Sequence, residues 1–90
     1  MIEANFRITY PLGLHARPAT MLVSVANSYK SKMVLEFQDT RVTLKSIMGV
    51  LSLGIPANVN FKLTFDGEDE GDAYRAIEKI IMDINRLPLK

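Results

Sequence analysis

The sequence predicts an α+β domain: a four-stranded antiparallel sheet with three helices on one face, in the order β-α-β-β-α-β-α. Three observations carry that prediction. Four stretches alternate strictly between apolar and polar residues, two others repeat apolar residues at helical spacing, and one short apolar stretch is opened by serine and closed by glycine. Alternation within each strand means that only one face is buried, which favours antiparallel pairing with the helices gathered on a single side. At 90 residues the chain can bury one core but not two, so it reads as one domain over 1–90.

The first strand is marked by Ala4, Phe6, Ile8 and Tyr10 alternating with Glu3, Asn5, Arg7 and Thr9. A helix follows, with Ala19, Leu22, Val23 and Ala26 on one stripe, and its pattern dissolves at Asn27 and Ser28. Met33, Leu35 and Phe37 alternate with Lys32, Val34 and Glu36; beyond a turn at Gln38-Asp39-Thr40, Val42 and Leu44 continue the pattern as a hairpin. Ser46 to Gly54 reads as a short helix capped by serine and ended by glycine, with Val50 and Leu53 turned to the core. Val59, Phe61, Leu63 and Phe65 form the inward face of the fourth strand. The last helix carries Ala73, Ala76, Ile77, Ile80, Ile81 and Ile84 on one stripe, and Pro88 implies a stop near Arg86 or Leu87.

Composition narrows the function classes. No apolar run approaches the roughly 18 residues of a membrane helix, and Met1-Ile2-Glu3 opens no secretory signal. Absence of cysteine excludes disulfides and thiolate chemistry and fits a cytoplasmic protein. A net charge of +1 from interspersed signs gives no footprint for nucleic acid. One histidine without cysteine leaves too few ligands for zinc, no serine-hydrolase motif is present, and no cofactor is implied. The acidic Glu68-Asp69-Glu70 run could hold a cation, but its place before a helix favours complementation of the helix dipole.

The chemistry concentrates in Gly13-Leu14-His15-Ala16-Arg17-Pro18-Ala19-Thr20. Pro18 suits a first helical turn, where an N–H would lack a partner, so the helix begins near His15 or Ala16 and leaves the amides of Ala16 and Arg17 free. Those amides, the positive end of the helix dipole and the Arg17 guanidinium converge where an imidazole could carry a phosphoryl group. A surface or capping role is the plain alternative for His15, and a solvated surface arginine for Arg17.

This octapeptide, together with Lys45-Ser46-Ile47-Met48-Gly49, Ser52-Leu53-Gly54 and the Gly67, Asp69, Glu70, Ala73 series, resembles the HPr family, the histidine-containing phosphocarriers of the bacterial phosphoenolpyruvate-dependent sugar phosphotransferase system. The resemblance spans nearly the whole chain and implies an open-faced β-sandwich that is not itself an enzyme. It implies that His15 takes phosphate on Nδ1 from enzyme I, with Arg17 assisting, and passes it to sugar-specific enzyme IIA domains. In some Gram-positive relatives an ATP-dependent kinase, HPr kinase/phosphorylase, modifies the serine corresponding to Ser46. That modification implies catabolite regulation through a transcriptional regulator, and a regulatory binding module acting through Ser46 is the rival reading; relatives of that kind lack the histidine.

Read from the residues alone, Ser46 is an N-cap first. Ile47, Met48 and Leu51 fall where they could form an exposed docking patch near His15, ordinary core packing being the alternative for Met48 and Leu51. Two departures from the family stand out. Pro11-Leu12 replaces the polar Asn or Ser that relatives often carry, removing a hydrogen bond near the imidazole. Pro56-Ala57-Asn58 replaces a frequent Lys-Gly turn; Asn58 can take glycine's left-handed conformation, but the basic side chain that would meet a partner is missing.

Overall fold

A computed structural model describes residues 1–88, so the last two positions of the expected 1–90 domain lie outside the described residues. The elements follow the predicted order: β1 (Ile2–Arg7), α1 (Ala16–Ala26), β2 (Lys32–Phe37), β3 (Thr40–Thr43), α2 (Ile47–Ser52), β4 (Asn60–Asp66) and α3 (Glu70–Ile84). The four strands form one antiparallel sheet in the order β1-β4-β2-β3.

Register puts the apolar sets on one face. Phe6 stands opposite Phe61, Leu35 opposite Leu63 and Met33 opposite Phe65, so one run of large side chains crosses the sheet. Leu22, Val23 and Ala26 of α1 and Ile77, Ile81 and Ile84 of α3 belong to the same buried core. The opposite face is polar, with Lys62 reaching Glu36 at 3.5 Å and Glu3 at 3.9 Å. Such pairs at the sheet surface contribute about 0–1 kcal/mol each, so burial on the helical face holds the fold.

Local differences from the sequence reading have identifiable causes. Alternation runs to Tyr10, yet β1 ends at Arg7: Asn58 donates to the Ile8 carbonyl at 2.8 Å and Thr9 donates to Asn85 Oδ1 at 2.7 Å, leading the chain out of the ladder while Ile8 and Tyr10 stay buried. Val59 is not an inward residue of β4. It precedes the last ladder pair, Arg7 with Asn60, just after Asn58 turns through φ +66°, and is 37% exposed. Leu44 is buried but lies beyond β3, and Leu53 is half-buried against the core. Helix α3 stops at Ile84 instead of Arg86 or Leu87, because the amides of Arg86 and Leu87 bond only three residues back, in a tighter turn before Pro88.

The acidic run before α3 has a more specific role than dipole complementation. Asp69 Oδ2 accepts the Lys30 amide at 2.8 Å, and Oδ1 accepts the Ser31 amide at 2.9 Å and the Ser31 hydroxyl. Hydrogen bonds from the Ser31 hydroxyl and the Lys30 amide hold the Asp69 carboxyl below the usual carboxylate range. Gly67 permits this junction: a Cβ there would lie 2.6 Å from Ser31 Oγ and 2.8 Å from Ser31 Cα. The start of α3 is thereby fastened to the start of β2.

Candidate functional site

Helix α1 begins at Ala16, with His15 as its N-cap in extended backbone at φ −87°, ψ −176°. Pro18 is the third helical residue and Ala19 donates to the His15 carbonyl at 2.8 Å, so only Ala16 and Arg17 carry amides at this end that find no acceptor among the described residues. The His15 side chain is exposed and makes no capping hydrogen bond. Arg17 is exposed, and no acidic residue lies in the first turn of α1. The helix therefore starts with two free donors, an uncommitted imidazole and an unneutralised positive end.

The loop presenting His15 is held from several directions. Gly13 donates to Tyr10 at 2.8 Å, closing a turn over Pro11-Leu12, and His15 donates to Gly13 at 2.9 Å. Leu14 is buried and donates to Ile55 at 3.0 Å. Gly13 takes φ +71° and presses onto the chain after α2: a Cβ would lie 2.6 Å from the Ile55 carbonyl oxygen and 2.9 Å from the Ala57 amide. Asn58 takes the left-handed conformation expected of it, at φ +66°.

Ser46 caps α2 as expected, its Oγ accepting the Gly49 amide at 3.0 Å. Its neighbour is tied to the far end of α1: Asn27 Nδ2 donates to the Lys45 carbonyl at 3.1 Å, and Lys45 Nζ donates to the Tyr29 carbonyl at 2.6 Å. Because Ile55 meets Leu14 at the other end, α2 runs alongside α1 from its C-terminal end back toward His15. Met48 is 79% and Ile47 39% exposed, whereas Leu51 is half-buried against the core and Val50 is fully buried. The exposed apolar pair thus stands at the Ser46 end of α2, and the His15 loop meets the other end.

Sequence reasoning missed Asn85. Its Oδ1 accepts Thr9 N–H and its Nδ2 donates to the Arg7 carbonyl at 3.2 Å, steering the chain from β1 into the His15 loop. Asparagine at a helix end reads as an ordinary cap, and nothing in the local pattern signals a partner across the chain.

Comparison with known proteins agrees with this geometry. Residues 2–83 match the family model described as the PTS HPr component phosphorylation site. HPr-C-His from Thermoanaerobacter tengcongensis superposes with a TM-score of 0.91 at 36% identity, covering 99% of this chain and 100% of that one. The histidine-containing phosphocarrier protein of Mycoplasma gives 0.89 at 30% identity, over 98% and 100%. Crh, the catabolite repression protein of Bacillus subtilis, solved as a swapped dimer, gives 0.72 at 32% identity, over 98% and 100%. A match across nearly the whole chain, on a fold that opens its first long helix at a lone exposed histidine, establishes that the chain belongs to the HPr family of phosphocarriers.

Proposed function

We propose that this chain is a phosphoryl carrier of the sugar phosphotransferase system, working in the cytoplasm between enzyme I and enzyme IIA domains, with His15 as the acceptor. The observation that carries the reading is the exposed, uncapped His15 beside the free amides of Ala16 and Arg17. An unprotonated ring nitrogen, Nδ1 by family resemblance, attacks the phosphorus as the bond to the donor breaks. The phosphoryl oxygens then accept from the two amides and from Arg17. Exposure lets the partner approach in line, and the absence of a buried cage keeps the N–P bond labile enough for onward transfer. The protein turns over nothing alone.

Ser46 is proposed as a regulatory phosphorylation site, with Ile47, Met48 and Leu51 in the docking surface. A phosphoryl group there would add up to about two negative charges at the start of α2, repelling an acidic partner while the helix dipole tolerates it. A second reading, a regulatory module working through HPr kinase/phosphorylase and a transcriptional regulator, draws on the likeness to Crh. The presence of His15 favours the carrier. Incubation with phosphoenolpyruvate and enzyme I should place acid-labile phosphate on the wild-type chain and none on His15→Ala; equal labelling of both would exclude His15 as the acceptor.

A further inference from the structure

We infer that Leu12 is a specificity-determining contact of the carrier, selecting partners with an apolar hollow beside their own phosphoryl-bearing residue. The inference rests on the carrier reading and adds a determinant to it. Leu12 occupies the third position of the turn closed by Gly13 N–H to the Tyr10 carbonyl. Polar residues or glycine serve best in such turns, because they bond locally and lose nothing to solvent. Leucine does neither here: it is 59% exposed, whereas Leu51 and Leu53 are partly buried against the core. Folding alone gives no reason for it.

Phosphoryl transfer supplies one. Reacting atoms must come within about 3–3.5 Å, so any donor or acceptor lays its surface over His15. Three residues span at most about 11 Å, while a standard interface of about 800 Å² per partner is a disc of roughly 16 Å radius. Leu12 therefore falls inside the footprint of a partner of standard size centred on His15. The backbone of Leu12 is held, since Gly13 is wedged against Ile55 and Ala57 and Leu14 is buried. Covering Leu12 therefore orders one short side chain and no loop, and the leucine disfavours a partner offering a polar group that it cannot satisfy. Leu12 and the Ile47–Met48 pair stand at opposite ends of α2, so two separated apolar contacts register the partner along the helix.

The test is steady-state transfer from phosphorylated enzyme I of the same organism to the wild-type chain, Leu12→Ala and Leu12→Met, with thermal unfolding as the folding control. Leu12→Ala, which removes the apolar contact without adding a polar group beside the imidazole, should raise KM about five- to twentyfold, the loss expected from a leucine partly exposed before binding, with kcat within about twofold. Leu12→Met, which keeps the apolar contact, should hold KM within about twofold of wild type. An unchanged KM in Leu12→Ala, or a KM raised equally in Leu12→Met, overturns the assignment of Leu12 and leaves the carrier reading intact. Failure of the wild-type chain to accept phosphate overturns both.

Discussion

The N-termini of α1 and α3 offer the same backbone chemistry, orphan amides at the positive end of a dipole, and the chain treats them in opposite ways. At α3 the end is filled from within: Glu70 accepts the Gly67 amide at 3.1 Å and pairs with the Met1 ammonium at 3.0 Å, Asp72 adds charge in the first turn, and Asp69 clamps Lys30 and Ser31. At α1 no carboxylate is present, the cap side chain makes no bond, and Arg17 adds a further positive charge. One terminus is a structural joint and the other is open to an anion from outside. The start of α2 is a third case, capped by the hydroxyl of Ser46, the residue we propose as the regulatory site.

Exchanging losses between the two ends is the strongest way to break this contrast. His15→Ala should abolish acid-labile phosphate labelling while changing stability by less than about 0.5 kcal/mol, because no capping bond is lost. Asp69→Asn should do the reverse, lowering stability at neutral pH while labelling survives. Its pH dependence has a definite sign. The folded-state pKa of Asp69 is depressed, so its contribution is fully present above the ordinary carboxylate value of about 3.9 and is lost as pH falls through the folded value. The stability gap between wild type and Asp69→Asn, read from denaturant unfolding at several pH values, should be constant above about pH 5 and narrow in acid.

Arg17→Ala comes next in size. Removing the cation we propose to act while charge redistributes should cut the rate of transfer about ten- to hundredfold, read from phosphoryl transfer kinetics, with little change in unfolding. If the two free amides alone sufficed, the rate would hold. Ser46→Ala is smaller and of another kind: loss of the cap to Gly49 should cost about 1 kcal/mol in denaturant unfolding. Ser46→Asp retains an N-cap acceptor and should keep that stability while weakening enzyme I binding in a titration.

Much of this contrast was legible in the sequence, because its signals are local. Pro18 three residues after His15 marked the open helix start, and Ser46 marked the capped one. Alternation gave every strand its inward face, failing only at Val59, where a left-handed residue breaks the ladder that gives alternation its meaning. What escaped was long-range. The Asp69 clamp on Lys30 and Ser31 and the Asn85 bonds to Arg7 and Thr9 join residues far apart in the chain. Side chains of Asp and Asn at helix ends have local uses common enough to hide distant ones. The tie of Lys45 to Tyr29 was hidden likewise, since a lysine beside a helix start looks solvated.

The smallest expected effect separates backbone strain that serves the site from strain that does not. Among the described residues, three other than glycine take positive φ, and of these only Asn58 is tied to the segment leading into His15. Gln38 at φ +49° and Asp39 at +64° form the two-residue connection between β2 and β3, at the end of β3 away from Ser46. Two left-handed central residues define a type I′ turn, whose twist suits the hairpin but whose conformation disfavours a Cβ. Replacing Gln38-Asp39 by Asn-Gly should therefore stabilise the protein by about 0.5–1 kcal/mol in denaturant unfolding, with phosphoryl transfer unaltered. A turn strained for the site's benefit would instead lose transfer as it gained stability. At Gly13 the coupling should be plain, because Gly13→Ala drives a Cβ into the Ile55 carbonyl and shifts the loop that presents His15.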